Sequence, residues 1–192
     1  MKKDIILCGV GGQGILSIAT IIGEAATKAN INLKQAEVHG MSQRGGDVQS
    51  NLRLSTDTIY SDLIPQGGAD VIISMEPMEA LRYLPYLAKD GVIVTSNKPF
   101  VNIPNYPDSQ QLFDELAALP NKVVMLDIEA VAKDCGSPRS ANVVLLGMAA
   151  KYIEILSSEA LRDAVATICA RKGEAVVEAN LKAFDLGNSV DK

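Results

Sequence analysis

The sequence predicts a three-layer α/β fold: a mostly parallel sheet with helices on both faces, an edge hairpin and a C-terminal helical segment. Three observations predict it. Short apolar runs such as KDIILCGV (3–10), ADVIISM (69–75) and GVIVTS (91–96) are too brief for helices and too uniformly apolar for half-wet strands, so they read as strands buried on both faces. They alternate with stretches of helical period, the pattern of parallel strands joined by crossovers. From about residue 140 onward the pattern is helical throughout.

Composition bounds what such a fold does. A chain of 192 residues is long enough to bury roughly 70% of its unfolded surface in one core. The expectation is therefore one domain over 1–192, a sheet core to about 135 and helices over about 140–187. With 47% hydrophobic and 21% charged residues, disorder is excluded. The longest apolar run, ANVVLLGMAA, is broken by Asn142 and Gly147 and is too short to span a bilayer. At the N-terminus, Asp4 separates Lys2-Lys3 from the apolar stretch, which fits a first strand better than a secretory leader. A net charge of −5 without a basic stripe argues against nucleic acid as a partner. Cys8, Cys135 and Cys169 form no CxxC pair; they read as core residues in a reducing cytoplasm, and no metal site is expected.

The elements follow in order. After the first strand, GQGILSIATIIGEAATKAN (12–30) places Ile15, Ile18, Ala19, Ile22 and Ala26 on one helical face, with Asn30 as its stop. LKQAEVHG (33–40) reads as a second strand, and βαβ with a right-handed crossover is the default connection, which makes the two strands neighbours. DVQSNLRLS alternates with period two, and with STDTIYSDLI it is expected to form a hairpin over 47–62 at a sheet edge. EPMEALRYLPYL (76–87) is a short helix with Pro77 in its first turn, and SQQLFDELAAL (109–119) is a longer one. NKPFVNIPNYP between them is irregular, and KVVMLDI (122–128) is the last strand. Three helices close the chain, NVVLLGMAAKYIEIL, SEALRDAVATICA and EAVVEANLKAFDLGN, punctuated by a Ser157-Ser158 cap and by Gly173 and Gly187.

Two loops carry the chemistry. GVGGQG (9–14) satisfies G-x-G-x-x-G after a strand and before a helix, the context of a Rossmann-like phosphate turn. Free amides in the first helical turn and the positive end of the helix dipole favour an anion there, and Gly9, Gly11, Gly12, Gln13 and Gly14 are its candidate residues. HGMSQRGG (39–46) follows the second strand. It offers Arg44, a planar fork of donors, with Ser42 and Gln43 as neutral donors and Gly45 and Gly46 as places of close backbone approach. Neighbouring parallel strands end on the same rim, so both loops are expected to face one crevice and to receive a negatively charged ligand or surface. His39 has no nucleophile or carboxylate partner at a useful spacing, and no catalytic residue is assigned. Glu37 stands where dinucleotide enzymes hold a ribose, whereas Glu76 and Glu79 read as helix-start residues.

Four segments in order, GVGGQG, HGMSQRGG, EPMEALRYL and NVVLLGMAA, make the sequence resemble the γ-type subunits of 2-oxoacid:ferredoxin oxidoreductases, in particular the small subunit acting on indolepyruvate. The resemblance spans nearly the whole chain, and HGMSQRGG is its specific part. It implies oxidative decarboxylation of an aryl-pyruvate to acyl-CoA with electrons passed to ferredoxin. It also implies that thiamine diphosphate and the iron-sulfur clusters belong to a larger partner subunit. This chain's implied share is to complete the complex and help bind CoA, and the isolated chain is expected to be inactive. Two rival readings stand beside it: an assembly module without ligand, and a free-standing NAD-binding oxidoreductase. An adenylyl-transferring domain is disfavoured because its additional arginines and CxxC zinc pair are missing.

Overall fold

The structure is a computed structural model that describes residues 1–39 and 45–190. Its sheet has six strands: β1 (Lys2–Val10), β2 (Asn32–His39), β3 (Asp47–Ser55), β4 (Ala69–Ser74), β5 (Leu87–Ser96) and β6 (Lys122–Leu126). They lie in the order β2-β3-β1-β4-β5-β6. β1, β4, β5 and β6 pair in parallel, and β3 runs antiparallel to both β1 and β2. The expected mostly parallel sheet with an edge hairpin is therefore present, but two details differ. β1 and β2 are not neighbours, because β3 returns between them. The hairpin is made by β2 and β3, not by 47–62, and residues 56–68 contain no strand.

Period-two alternation in β1 sends Ile5 and Leu7 into one apolar cluster and Ile6 and Cys8 into another. The larger cluster packs under α1 (Ile15–Lys28), α4 (Ile128–Asp134), α5 (Ala141–Ile153), α6 (Ser158–Cys169) and α7 (Glu174–Asn188). The smaller one packs under α2 (Pro77–Arg82) and α3 (Ser109–Ala117). This gives the three layers.

Local chemistry accounts for the helix limits. Residue Asn30 closes the turn after α1 with φ 55°, a left-handed conformation that asparagine tolerates, while Ile31 N donates to Ala26 O. The hydroxyl of Ser157 accepts from Ala160 N at 3.0 Å and caps α6. A short helix over 128–134 was not expected; Asp127 starts it by accepting from Ala130 N at 2.8 Å. Every residue of α5 from Ala141 to Ala150 is buried, so its sequence shows no wet face.

Candidate anion cleft at the glycine bends

The register places three strand ends on one rim. Val10, the last residue of β1, pairs with Asp47, and His39, the last of β2, pairs with Val48. The two glycine loops meet there directly: Gly11 N donates to Gly46 O at 2.8 Å, and Gly45 N donates to Gly11 O at 3.3 Å. Ser42, Gln43 and Arg44 lie outside the described residues, as does the side chain of His39.

Within the first bend, Gly9 and Gly14 show why glycine is required. A Cβ on Gly9 meets Ile15 Cδ1, Gln13 Oε1 and Met75 Cβ at 2.8–2.9 Å. Gly14, with φ 87°, precedes α1 in a left-handed conformation, and its carbonyl accepts from Asn142 Nδ2 at 3.1 Å. The side chain of Gln13 turns inward: Oε1 accepts from Val10 N at 2.8 Å and Nε2 donates to Met75 O at 3.5 Å. Its own amide donates to Val10 O at 3.1 Å. Gln13 and Gly11 thus spend their amides inside the protein, which narrows the expected donor set. Among the described residues the amides of Gly12, Gly14, Ile15 and Leu16 have no acceptor, and they stand at the positive end of the 14-residue α1. A cleft of about 460 Å³ opens beside them, lined by Gly11, Gly12, Gly14, Leu16, Val48 and Glu37 among others. Among the described residues Glu37 is the one ionisable residue lining the cleft, so the described lining has an amide side suited to phosphate and an acidic side suited to a hydroxyl or amine.

Residues 4–190 match the family described as pyruvate ferredoxin/flavodoxin oxidoreductase. The chain belongs to this family. An indolepyruvate oxidoreductase subunit IorB of Pyrococcus horikoshii is 38% identical over 97% of this chain and 95% of its own length. The γ subunit of a keto/oxoacid ferredoxin oxidoreductase from Geobacter sulfurreducens superposes with a TM-score of 0.70 at 27% identity, covering 96% of this chain and 95% of that one. A 2-oxoglutarate:ferredoxin oxidoreductase of Magnetococcus marinus, solved with 2-oxoglutarate, coenzyme A and succinyl-CoA bound, gives a TM-score of 0.76 at 23% identity. That match covers 98% of this chain and 30% of the other.

In this γ-type oxidoreductase subunit, a carboxyl network lies under the same rim. Glu76 and Glu79 are 0% and 2% exposed. Glu76 caps α2 by accepting from Glu79 N at 2.9 Å; it also accepts from Phe100 N at 3.3 Å and from the Tyr106 hydroxyl. Glu79 pairs with Arg82 at 2.8 Å. Burial pushes the Glu79 carboxyl up, against the pull of Arg82. Burial also raises the Cys8 thiol and the Tyr83 and Tyr106 phenols, so all three stay protonated at neutral pH. Helix start accounts for Glu76 only in part, because it also holds the segment after β5. Asn142 and Asn102, which touch the two bends, were missed. A lone polar residue at the head of the apolar helix NVVLLGMAA was a signal for the first; Asn102, in a proline-rich loop, had none.

Proposed function

We propose that this chain is the accessory subunit of a thiamine-diphosphate-dependent 2-oxoacid:ferredoxin oxidoreductase acting on aryl-pyruvates such as indolepyruvate. In this reading it completes the complex and presents CoA to a larger partner subunit that carries thiamine diphosphate and the iron-sulfur clusters and passes electrons to ferredoxin. The observation that carries it is the junction of the two glycine bends, with amides at the head of α1 that have no acceptor among the described residues, beside a cleft of about 460 Å³. That volume lies in the range of small-molecule sites, roughly 300–1,000 Å³. Hydrogen bonds from such amides to a charged oxygen contribute about 1.5–3 kcal/mol each. The pyrophosphate of CoA supplies acceptors of that kind, Gly12 and Gly14 stand on the amide side, and the sequence of the second loop adds Ser42, Gln43 and Arg44 as donors. The IorB relative and the CoA-bound 2-oxoglutarate enzyme support the same reading.

An iron-sulfur cluster does not fit this chain. Cys8 belongs to the apolar cluster on one face of the sheet, and Cys135 and Cys169 to the cluster on the other, all buried. Thiolates on opposite faces cannot converge on one cluster. Among the described residues no helix is long and apolar enough to cross a membrane.

The test is hydrogen exchange on the chain reconstituted with its partner, with and without CoA. Slowed exchange in residues 9–16 and 45–46 is expected; full turnover with no change there leaves only a docking role. Arg44→Ala should weaken CoA binding, and unchanged affinity and turnover would remove Arg44 from the site. Glu37 in the cleft favours one second reading, a dinucleotide whose ribose it holds. Saturable NADH binding by the purified chain would establish that reading in place of CoA.

A further inference from the structure

We infer that the α2 unit and the segment 97–107 position the second glycine bend, with Asn102 as the residue that holds it against the first. Three separate contacts converge on Gly45, Gly46 and Asp47. The first bend supplies the reciprocal pair between Gly11 and Gly45-Gly46. The side chain of Asn102 donates from Nδ2 to Gly45 O at 2.6 Å. The hydroxyl of Tyr83, at the end of α2, donates to Asp47 Oδ2 at 3.3 Å. Asn102 itself is exposed, in a stretch without helix or strand, so something else must hold that stretch in place. Glu76 does so. One carboxyl oxygen accepts from Glu79 N in α2, and the other accepts from Phe100 N and the Tyr106 hydroxyl on either side of Asn102. A buried carboxyl fastened to both flanks makes Asn102 a pre-set donor, and the carbonyl it meets belongs to the residue whose amide grips Gly11. The segment EPMEALRYL thereby gains a task beyond starting a helix: Glu76 and Tyr83 within it hold two ends of one bracket around the bend.

As a statement about ligand affinity this rests on the CoA reading; as a statement about the bend it does not. The experiment therefore has two arms. Asn102→Asp keeps the shape but replaces the donor with an acceptor facing Gly45 O, and Asn102→Gln retains a donor. In the full chain, exchange at the amides of Gly11 and Gly45 should quicken about five-fold in N102D, the ratio expected for one ordinary hydrogen bond, with recovery in N102Q and an unchanged thermal midpoint. Unchanged exchange in N102D overturns the inference, as does faster exchange throughout the chain with a lowered midpoint, which marks a merely structural residue. In the reconstituted complex, N102D should raise KM for CoA by a similar factor while kcat is kept. An unchanged KM in a complex whose residues 9–16 CoA protects also overturns it. If CoA protects nothing there in the wild type, the CoA reading fails and the exchange arm alone decides the positioning role.

Discussion

Glu79 is a carboxyl with 2% exposure, next to Arg82 and near Glu76 and Asp47. Burial raises its folded pKa above the ordinary value of 4.5. A raised acid contributes stability that is fully present below the unfolded value and is lost as pH rises through the folded value. Glu79→Gln, which mimics the protonated form, should therefore match the wild type near pH 4 and become the more stable of the two toward pH 7. Urea unfolding at both pH values checks it; a wild type that gains on E79Q as pH rises shows that Arg82 outweighs burial. The site's residues were partly legible in the sequence. Gly9, Gly14 and Gly11 follow from a motif whose spacing encodes a turn, and the structure puts them in that turn. The inward turn of Gln13 and the reach of Asn102 depend on Met75 and Gly45, distant in sequence, so nothing local announces them.

At the scale of elements, α5 and α7 approach backbone to backbone, and glycine makes it possible. A Cβ on Gly147 would run into the Phe184 carbonyl, and one on Gly187 into the Val144 carbonyl. Both obstacles are backbone, so the helices would have to move apart. Alanine is favoured over glycine in a helix interior by about 1 kcal/mol, and overpacking costs about 1–3 kcal/mol or more. Gly147→Ala and Gly187→Ala should each lose up to about 2 kcal/mol in denaturant unfolding, the overpacking cost less the propensity gain. Gly23→Ala in α1 is the internal control: its Cβ meets only Leu33 Cδ1 at 3.9 Å, and a gain of about 0.5–1 kcal/mol is expected. Gly187 read as punctuation after a helix, since glycine is common there; it lies inside α7, and the reason is a contact with an element more than thirty residues away. The helices themselves were readable because their apolar spacing and caps are local, as the limits of α6 and α7 show.

At the scale of the molecule, the terminal helices belong to the core that α1 covers. Phe184 is 1% exposed and shares an apolar cluster with Ile5, Leu7 and Ile22. We therefore expect the chain to unfold as one unit, with backbone dichroism and fluorescence of its 5 tyrosines following a single transition. A chain ending after residue 156 loses α6 and α7 and leaves the apolar α5 uncovered. It should fail to give a folded soluble species; a cooperative transition in that shortened chain would show the helical segment to be separable.

The same scale separates what was written locally from what was not. Sequence alone determined the class of fold and nearly every helix and strand, because burial on both faces and helical period are short-range properties. Strand order was decided by tertiary structure. A default βαβ crossover puts β1 beside β2, whereas β3 lies between them, and the bends still meet because β3 begins where β1 and β2 end. Edge-to-edge hydrogen bonding is a choice among all strands at once, made by the whole sheet. The acid on one side of the cleft, and the bracket around Gly45, arise from that choice.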